Sequence, residues 1–156
     1  MRGEREVAAK EFFLGALTTV LAEDEIVIRV EFPGSTQEMS GAFHEVSRRP
    51  GDFAMAAAGV LLSACDGVVT SSKVALMGVS ETPIRSDIAE SLLTGSRLTL
   101  EKIKSISNEV SESLTPRTDL HASLDYRKHL ASVVLERAIS SAWDDAINLK
   151  NSRTMT

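Results

Sequence analysis

Apolar and polar positions change rhythm near Pro83. Ahead of it, short apolar runs are broken by turn residues; beyond it, apolar positions recur every three or four residues. Glu25 to Phe32 puts Ile26, Ile28, Val30 and Phe32 on one parity, all β-branched or aromatic, which predicts a half-buried strand ended by Pro33-Gly34. A polar loop follows over Ser35 to Ser40, and Ala42 to Arg48 predicts a second strand by a weaker pattern. Phe53 to Ala64 is a long apolar run, Asp66-Gly67 is a strong hairpin signal, and Val68, Val69, Val74 and Leu76 mark a run to Met77. The two runs predict paired antiparallel strands. A helix over Phe53 to Ala64 stays open as an alternative, because periodicity does not resolve a short apolar run.

Three helices are predicted next. Asp87 to Thr94 opens on an Asp cap with Glu90 three residues on, resembling a capping box, and ends at Gly95. Leu100, Ile103, Ile106, Val110 and Leu114 form one apolar stripe, stopped by Pro116. Ser123 caps a long helix to about Leu149, with Leu130, Val133, Val134, Ala138 and Ile147 on its buried side and Trp143 alongside. Asn151 to Thr156 are expected to fray. An antiparallel sheet with helices gathered at the C-terminal end is an α+β arrangement, the helices covering one sheet face.

The chain has 156 residues, the size of one domain or one domain plus a fragment. Its 43% hydrophobic and 25% charged residues are ordinary for a globular protein and exclude wholesale disorder. Lys plus Arg number 17 against 22 Asp plus Glu, a net charge of −5 with no basic run, which argues against a nucleic-acid partner. The longest uncharged stretch, Phe53 to Cys65, is too short for a membrane span of about 20 residues. Phe12 to Ala22 has the look of a signal-peptide core, but Arg2, Arg5 and Lys10 ahead of it are balanced by Glu4, Glu6 and Glu11. With a lone Cys65 and so no intrachain disulfide, a reducing, cytoplasmic setting is expected.

Candidate chemistry is sparse. There is no Gly-x-Gly-x-x-Gly, no Gly-Lys-Ser or Gly-Lys-Thr and no Cys pair for a metal or cluster. His121, Asp125 and His129 are spaced four apart, but a cap at Ser123 puts His121 ahead of the helix, so no metal site is expected there. Asp125 then complements the helix N-terminus. Arg48, Arg49 and Asp52 flank Pro50-Gly51 and read either as an anion or partner contact on a rigid loop or as a solvated turn with a local ion pair. Cys65 is expected to be a buried, inert thiol, since no neighbouring base would activate it. Tyr126 and Trp143 read as core or interface packing.

Four stretches, in order and spacing, resemble one family. They are Phe12-Phe13-Leu14-Gly15 with Thr19, Leu21 and Asp24-Glu25-Ile26; Gly41-Ala42-Phe43 with Val46-Ser47-Arg48-Arg49-Pro50-Gly51-Asp52-Phe53-Ala54; Val74-Ala75-Leu76-Met77-Gly78-Val79 with Pro83-Ile84-Arg85; and Asp119-Leu120 with Ala122-Ser123 and Tyr126-Arg127-Lys128-His129-Leu130-Ala131. From about Gly3 to Ala146 the chain resembles the C-terminal domain of the FAD-carrying medium subunit of molybdenum hydroxylases, such as aerobic carbon monoxide dehydrogenase and the middle region of xanthine dehydrogenase. The resemblance implies an antiparallel three- to four-stranded sheet followed by a three-helix bundle. It also implies a place in a complex where a molybdopterin subunit passes electrons through an iron–sulfur subunit to FAD.

The same resemblance sets the expected boundaries. Residues 1–24 would be the tail of a preceding FAD-binding domain that the chain does not contain, 25–149 the flavoprotein C-terminal domain, and 150–156 a frayed tail. A pyrophosphate needs backbone N–H donors on a closely approaching loop, and no such Gly-rich loop is present, so FAD is expected only with a separate FAD-binding domain or subunit. The family commonly carries a Lys one or two residues after the equivalent of Phe43; His44 and Glu45 stand here. The implied cofactor-facing positions are His44 and Val27, with Arg48, Arg49 and Asp52 as a docking loop and no catalytic residue. The expected function is a flavin-covering, subunit-contacting domain that is not catalytic alone. The alternative is an interaction or oligomerisation module, a homo-oligomer included, that has lost the flavin role.

Overall fold

The computed structural model describes residues 3–32, Gly34, 39–116, 118–120 and 122–153. Its centre is a β-hairpin. Strands β4 (Ala56–Cys65) and β5 (Val68–Met77) pair antiparallel through Asp66-Gly67, both at positive φ (51° and 72°), the conformation a tight two-residue turn requires. Strand β3 (Ser40–Val46) adds to β4, and the two-residue β6 (Ile84–Arg85) to β5, giving the order β3-β4-β5-β6. The helical alternative for the apolar run is excluded. Phe53 belongs to the preceding loop and is 93% exposed, and the strand starts three residues later at Ala56.

One sheet face carries the core. Ala58, Val60 and Leu62 of β4 and Val74 and Leu76 of β5 are buried at 1% exposure or less. The pairing of β4 with β5 shifts between Ser63 and Ala64, so that Thr70 is an extra residue. This bulge lets Val69 and Ser72, three residues apart, both point inward. On that face lie α2 (Asp87–Leu93), α3 (Leu100–Ser113) and α4 (Leu124–Arg153). Helix α4 packs on β3 and β4, α2 on β5, and α3 on α4. Ala131, Leu135, Ala138, Ala142 and Ala146 repeat at four- and three-residue steps on α4, and the four alanines among them keep the helix face that packs on β3 and β4 low. The expected α+β fold, helices over one face of an antiparallel sheet, is the observed one.

Several local expectations are corrected. Glu25 to Phe32 is not a strand, and Ile26, Ile28, Val30 and Phe32 are 64–87% exposed: among the described residues no strand lies alongside to complete a ladder. A helical turn α1 (Ala9–Phe12) and a small ribbon, β1 (Phe13–Gly15) with β2 (Thr18–Thr19), occupy the apolar run that looked like a signal core. The cap of α2 is Ser86, whose Oγ accepts from Ala89 N, not Asp87. Thr99 caps α3 by accepting from Lys102 N, which leaves Leu100 on the first turn 78% exposed rather than buried. Cys65 is exposed, because it is the last strand residue before the turn. Ser123 caps α4 as expected, accepting from Tyr126 N, and the helix continues to Arg153, with Ile147 at 37% exposure. Pro33, most of the Ser35 to Ser40 loop and His121 lie outside the described residues.

Arg127, 7% exposed on the first turns of α4, ties three segments together. Its Nη1 donates to Met55 O (2.8 Å) and Gly78 O (2.9 Å), and its Nη2 to Asp119 Oδ2 (2.6 Å). Gly78 sits at φ +75°, and a Cβ there would come within 2.7 Å of Met55 O and 2.8 Å of Ala54 O. Arg127→Met removes the donor shared by two part-buried carbonyls and by Asp119, and is expected to cost about 2–4 kcal/mol in urea unfolding. Gly78→Ala combines a positive φ with a backbone clash and is expected to cost about 2–4 kcal/mol in the same measurement.

Candidate functional site

The loop between β3 and β4 is a built turn. Asp52 N donates to Arg49 O (3.1 Å), and Gly51 lies at φ +87° after Pro50, the signature of a type II turn. Ser47 Oγ also donates to Arg49 O, at 2.9 Å. Met55 N closes the loop on Val46 O (2.8 Å), while Arg127 holds Met55 O from the other side. The expected local ion pair is present, but Arg48 Nη2 and Asp52 Oδ2 are 3.9 Å apart with both side chains largely exposed, so it adds little stability. The loop therefore owes its shape to backbone bonds and the Arg127 anchor, and it presents Arg49 and Phe53 outward.

His44 points the other way. Its parity on β3 is that of Ala42 and Val46, toward the helices, and its Nε2 lies 3.1 Å from Ser141 Oγ on α4. The ring is half-buried at the edge of the sheet, since among the described residues β3 has only β4 beside it. Val27 lies on the N-terminal segment ahead of β3 at 50% exposure. That segment is anchored at its start by Arg5, whose Nε and Nη2 grip the two oxygens of Glu25 (2.7 Å each) while Nη2 also donates to Val20 O (2.9 Å).

The outer sheet face forms a shallow groove of about 570 Å³. Register aligns Phe43, Gly59, Ala75 and Arg85 in one row and Gly41, Leu61 and Lys73 in the next. Phe43 (55% exposed) lies across Gly59, and Leu61 (43% exposed) covers Gly41. At the β6 end, Arg85 binds both oxygens of Glu90 (2.7 and 2.6 Å), and Glu90 Oε1 accepts from Val74 N (3.0 Å) where the short β6 has run out. Neither His44 nor Val27 lines this groove. The groove, Ser141 and the Arg127 anchor were not singled out from sequence. Phe43, Arg85 and Arg127 stand in the family-like stretches, but their roles needed the strand register. Among the described residues no group of three His, Cys, Asp or Glu gathers to hold a metal ion, and His121 is outside them.

A four-stranded antiparallel sheet backed by three helices, with a fixed loop beside its edge strand, defines the class of domain. Residues 41–142 match the model of the CO dehydrogenase flavoprotein C-terminal domain, and the chain belongs to that family. It is 36% identical over 152 residues to caffeine dehydrogenase subunit beta of Pseudomonas sp. strain CBB1, covering 97% of this chain and 52% of that protein. It is 30% identical to the carbon monoxide dehydrogenase medium chain of Hydrogenophaga pseudoflava, over 90% of this chain and 49% of the relative. Quinoline 2-oxidoreductase from Pseudomonas putida 86 superposes with a TM-score of 0.85 at 32% identity, covering 91% of this chain and 49% of that one. The chain thus spans about half the length of these relatives. No helix among the described residues is long and apolar enough to cross a membrane.

The Arg85 hydrogen bond, opposed by partial burial and helped by Val74 N–H and nearby charge, holds the Glu90 carboxyl below its usual range. A depressed carboxyl contributes stability that is complete above its unfolded pKa of about 4.3 and is lost as pH falls through the lower folded value. Glu90→Gln is expected to lose about 1 kcal/mol at neutral pH. The gap from wild type should hold down to about pH 5 and then close with further acidification, as read by urea unfolding across pH.

Proposed function

We propose that this chain acts as the C-terminal domain of the FAD subunit of a molybdenum-hydroxylase-type oxidoreductase, covering the flavin and contributing subunit contacts without catalysing alone. The carrying observation is the flavoprotein-family match over residues 41–142, the stretch that builds the sheet and most of its helical cover. The dinucleotide itself is held by an FAD-binding domain or subunit, on the same or another polypeptide. What this chain offers suits only the isoalloxazine edge. Val27 is an exposed apolar contact, and Ser141 orients the His44 ring through Nε2, leaving Nδ1 as the polar atom for the cofactor. The flavin supplies the redox chemistry; the protein residues here position it and keep water from it. The Arg48–Asp52 loop, rigid through Gly51 and Arg127, is the docking element for neighbouring iron–sulfur and molybdopterin subunits, in a cytoplasmic setting with no role for nucleic acid or membrane.

The test is co-expression with the part of caffeine dehydrogenase subunit beta that this chain does not span. Co-purification with visible flavin absorbance is expected. A homo-oligomer that neither joins that partner nor responds to FAD would sink the reading and favour a pure interaction module. Within the complex, His44→Ala and Val27→Asp are each expected to weaken flavin retention about three- to tenfold, the equivalent of about 1 kcal/mol.

A further inference from the structure

The segment from Glu25 to Phe32 has the chemistry of a strand and lacks a sheet. The Arg29 Nε–Glu31 Oε1 ion pair (2.6 Å) puts those two side chains on one side, as alternate residues of a strand are. Ile26, Ile28, Val30 and Phe32 take the other parity and are 64–87% exposed. Four large apolar side chains in one row are a costly surface for a solvated coil, at about 25 cal/mol for each Å² left in water. The start of the row is fixed rather than trailing: Arg5 clamps Glu25, and Glu25 Oε2 also accepts from Ala22 N (2.8 Å).

Resting on the function proposed above, we infer that residues 25–32 are a donated β-strand, which adds to an open sheet edge of the FAD-binding part with the Ile26–Phe32 row on that sheet's core. Backbone bonds would supply affinity and the alternate side chains register, the logic of strand addition. A second copy of this chain fits less well. Antiparallel self-pairing that uses most of the segment sets Arg29 against Arg29, or Glu25 against Glu31, or apolar residues against polar ones. The register that pairs Arg29 with Glu31 engages only residues 28–32 before Pro33 intervenes. A ribbon of two strands is in any case marginal without a third, whereas an existing sheet supplies both the ladder and an apolar layer. Strand addition also explains how Val27 serves the cofactor. It shares the face of Arg29 and Glu31, so burying the apolar row in the partner leaves Val27 on the side away from that core.

Hydrogen exchange on the co-purified complex tests this. The amides of Ile26 to Phe32 should exchange at least tenfold more slowly in the complex than in the full chain alone. Val30→Pro, which removes a ladder donor at an exposed position, should weaken the complex at least tenfold while leaving the chain's own melting temperature unchanged. A flavin-bearing complex in which these amides exchange as fast as in the free chain overturns the strand and leaves the functional reading standing. So does protection already present in the chain alone that vanishes on dilution, the mark of a second copy. If no complex forms, the functional reading fails and this inference with it.

Discussion

The architecture depends on a single guanidinium. Arg127 reaches from the base of α4 to the carbonyls of Met55 and Gly78, just before β4 and just after β5, and to the carboxylate of Asp119. The β4–β5 ladder brings the first two segments side by side at Ala57 and Met77, and Arg127 joins Asp119 and the base of α4 to them. Arg suits the task because its planar fork offers donors in several directions at once, where Lys would bring one point charge. The contact requires the chain at Gly78 to pass against Ala54 and Met55 with no room for a Cβ, so the glycine and the arginine form one device. It fixes the base of the β3–β4 loop, and a hairpin's internal pairing becomes a surface of defined shape.

The two faces of the sheet divide the work. The inner face is small and apolar, with alanines at Ala56 and Ala58 admitting the alanine row of α4. The outer face keeps Phe43 and Leu61 in solvent and packs them over Gly41 and Gly59, shielding backbone that glycine would leave open. β6 contributes only two residues before the chain turns into α2, and Glu90 then takes over the edge by accepting from Val74 N. A carboxylate returning from the next helix thus completes a strand, and Arg85 keeps that carboxylate ionised.

Much of this was legible because it is local. Asp66-Gly67 announced the hairpin, and the Ile103–Ile106–Val110–Leu114 spacing and Ser123 announced the helices, each signal lying within one turn or strand. What was not legible depends on elements distant in sequence. Ser86 rather than Asp87 is the cap, and Glu90 turns instead to Val74 N and Arg85, partners set by strands distant from the helix start. The apolar run before Cys65 predicts a buried thiol, yet hairpin geometry places it at the rim. Of the site residues, the family resemblance singled out His44, but only the fold pairs it with Ser141, 97 positions away. Phe43 and Lys73 could not be assigned to one face without the register of three strands.

The alternation at Glu25 to Phe32 differs from these cases, since the sequence and the structure disagree there without either being in error. A period-two apolar pattern encodes a face that is to be buried; the fold encodes what this chain can bury by itself. The core has no room for the row, because α4 already covers β3 and β4, and the exposed β3 edge lies beside His44 rather than beside Ile26 in any ladder. On the strand-addition proposal the pattern specifies an environment that comes from elsewhere, while the Arg5–Glu25 clamp supplies local order to present it. The same division recurs in the function proposed, where Val27 and His44 would offer contact to a flavin but no grip on a phosphate. On both proposals the chain would carry half of a complementary pair, the half that its own fold can hold in position.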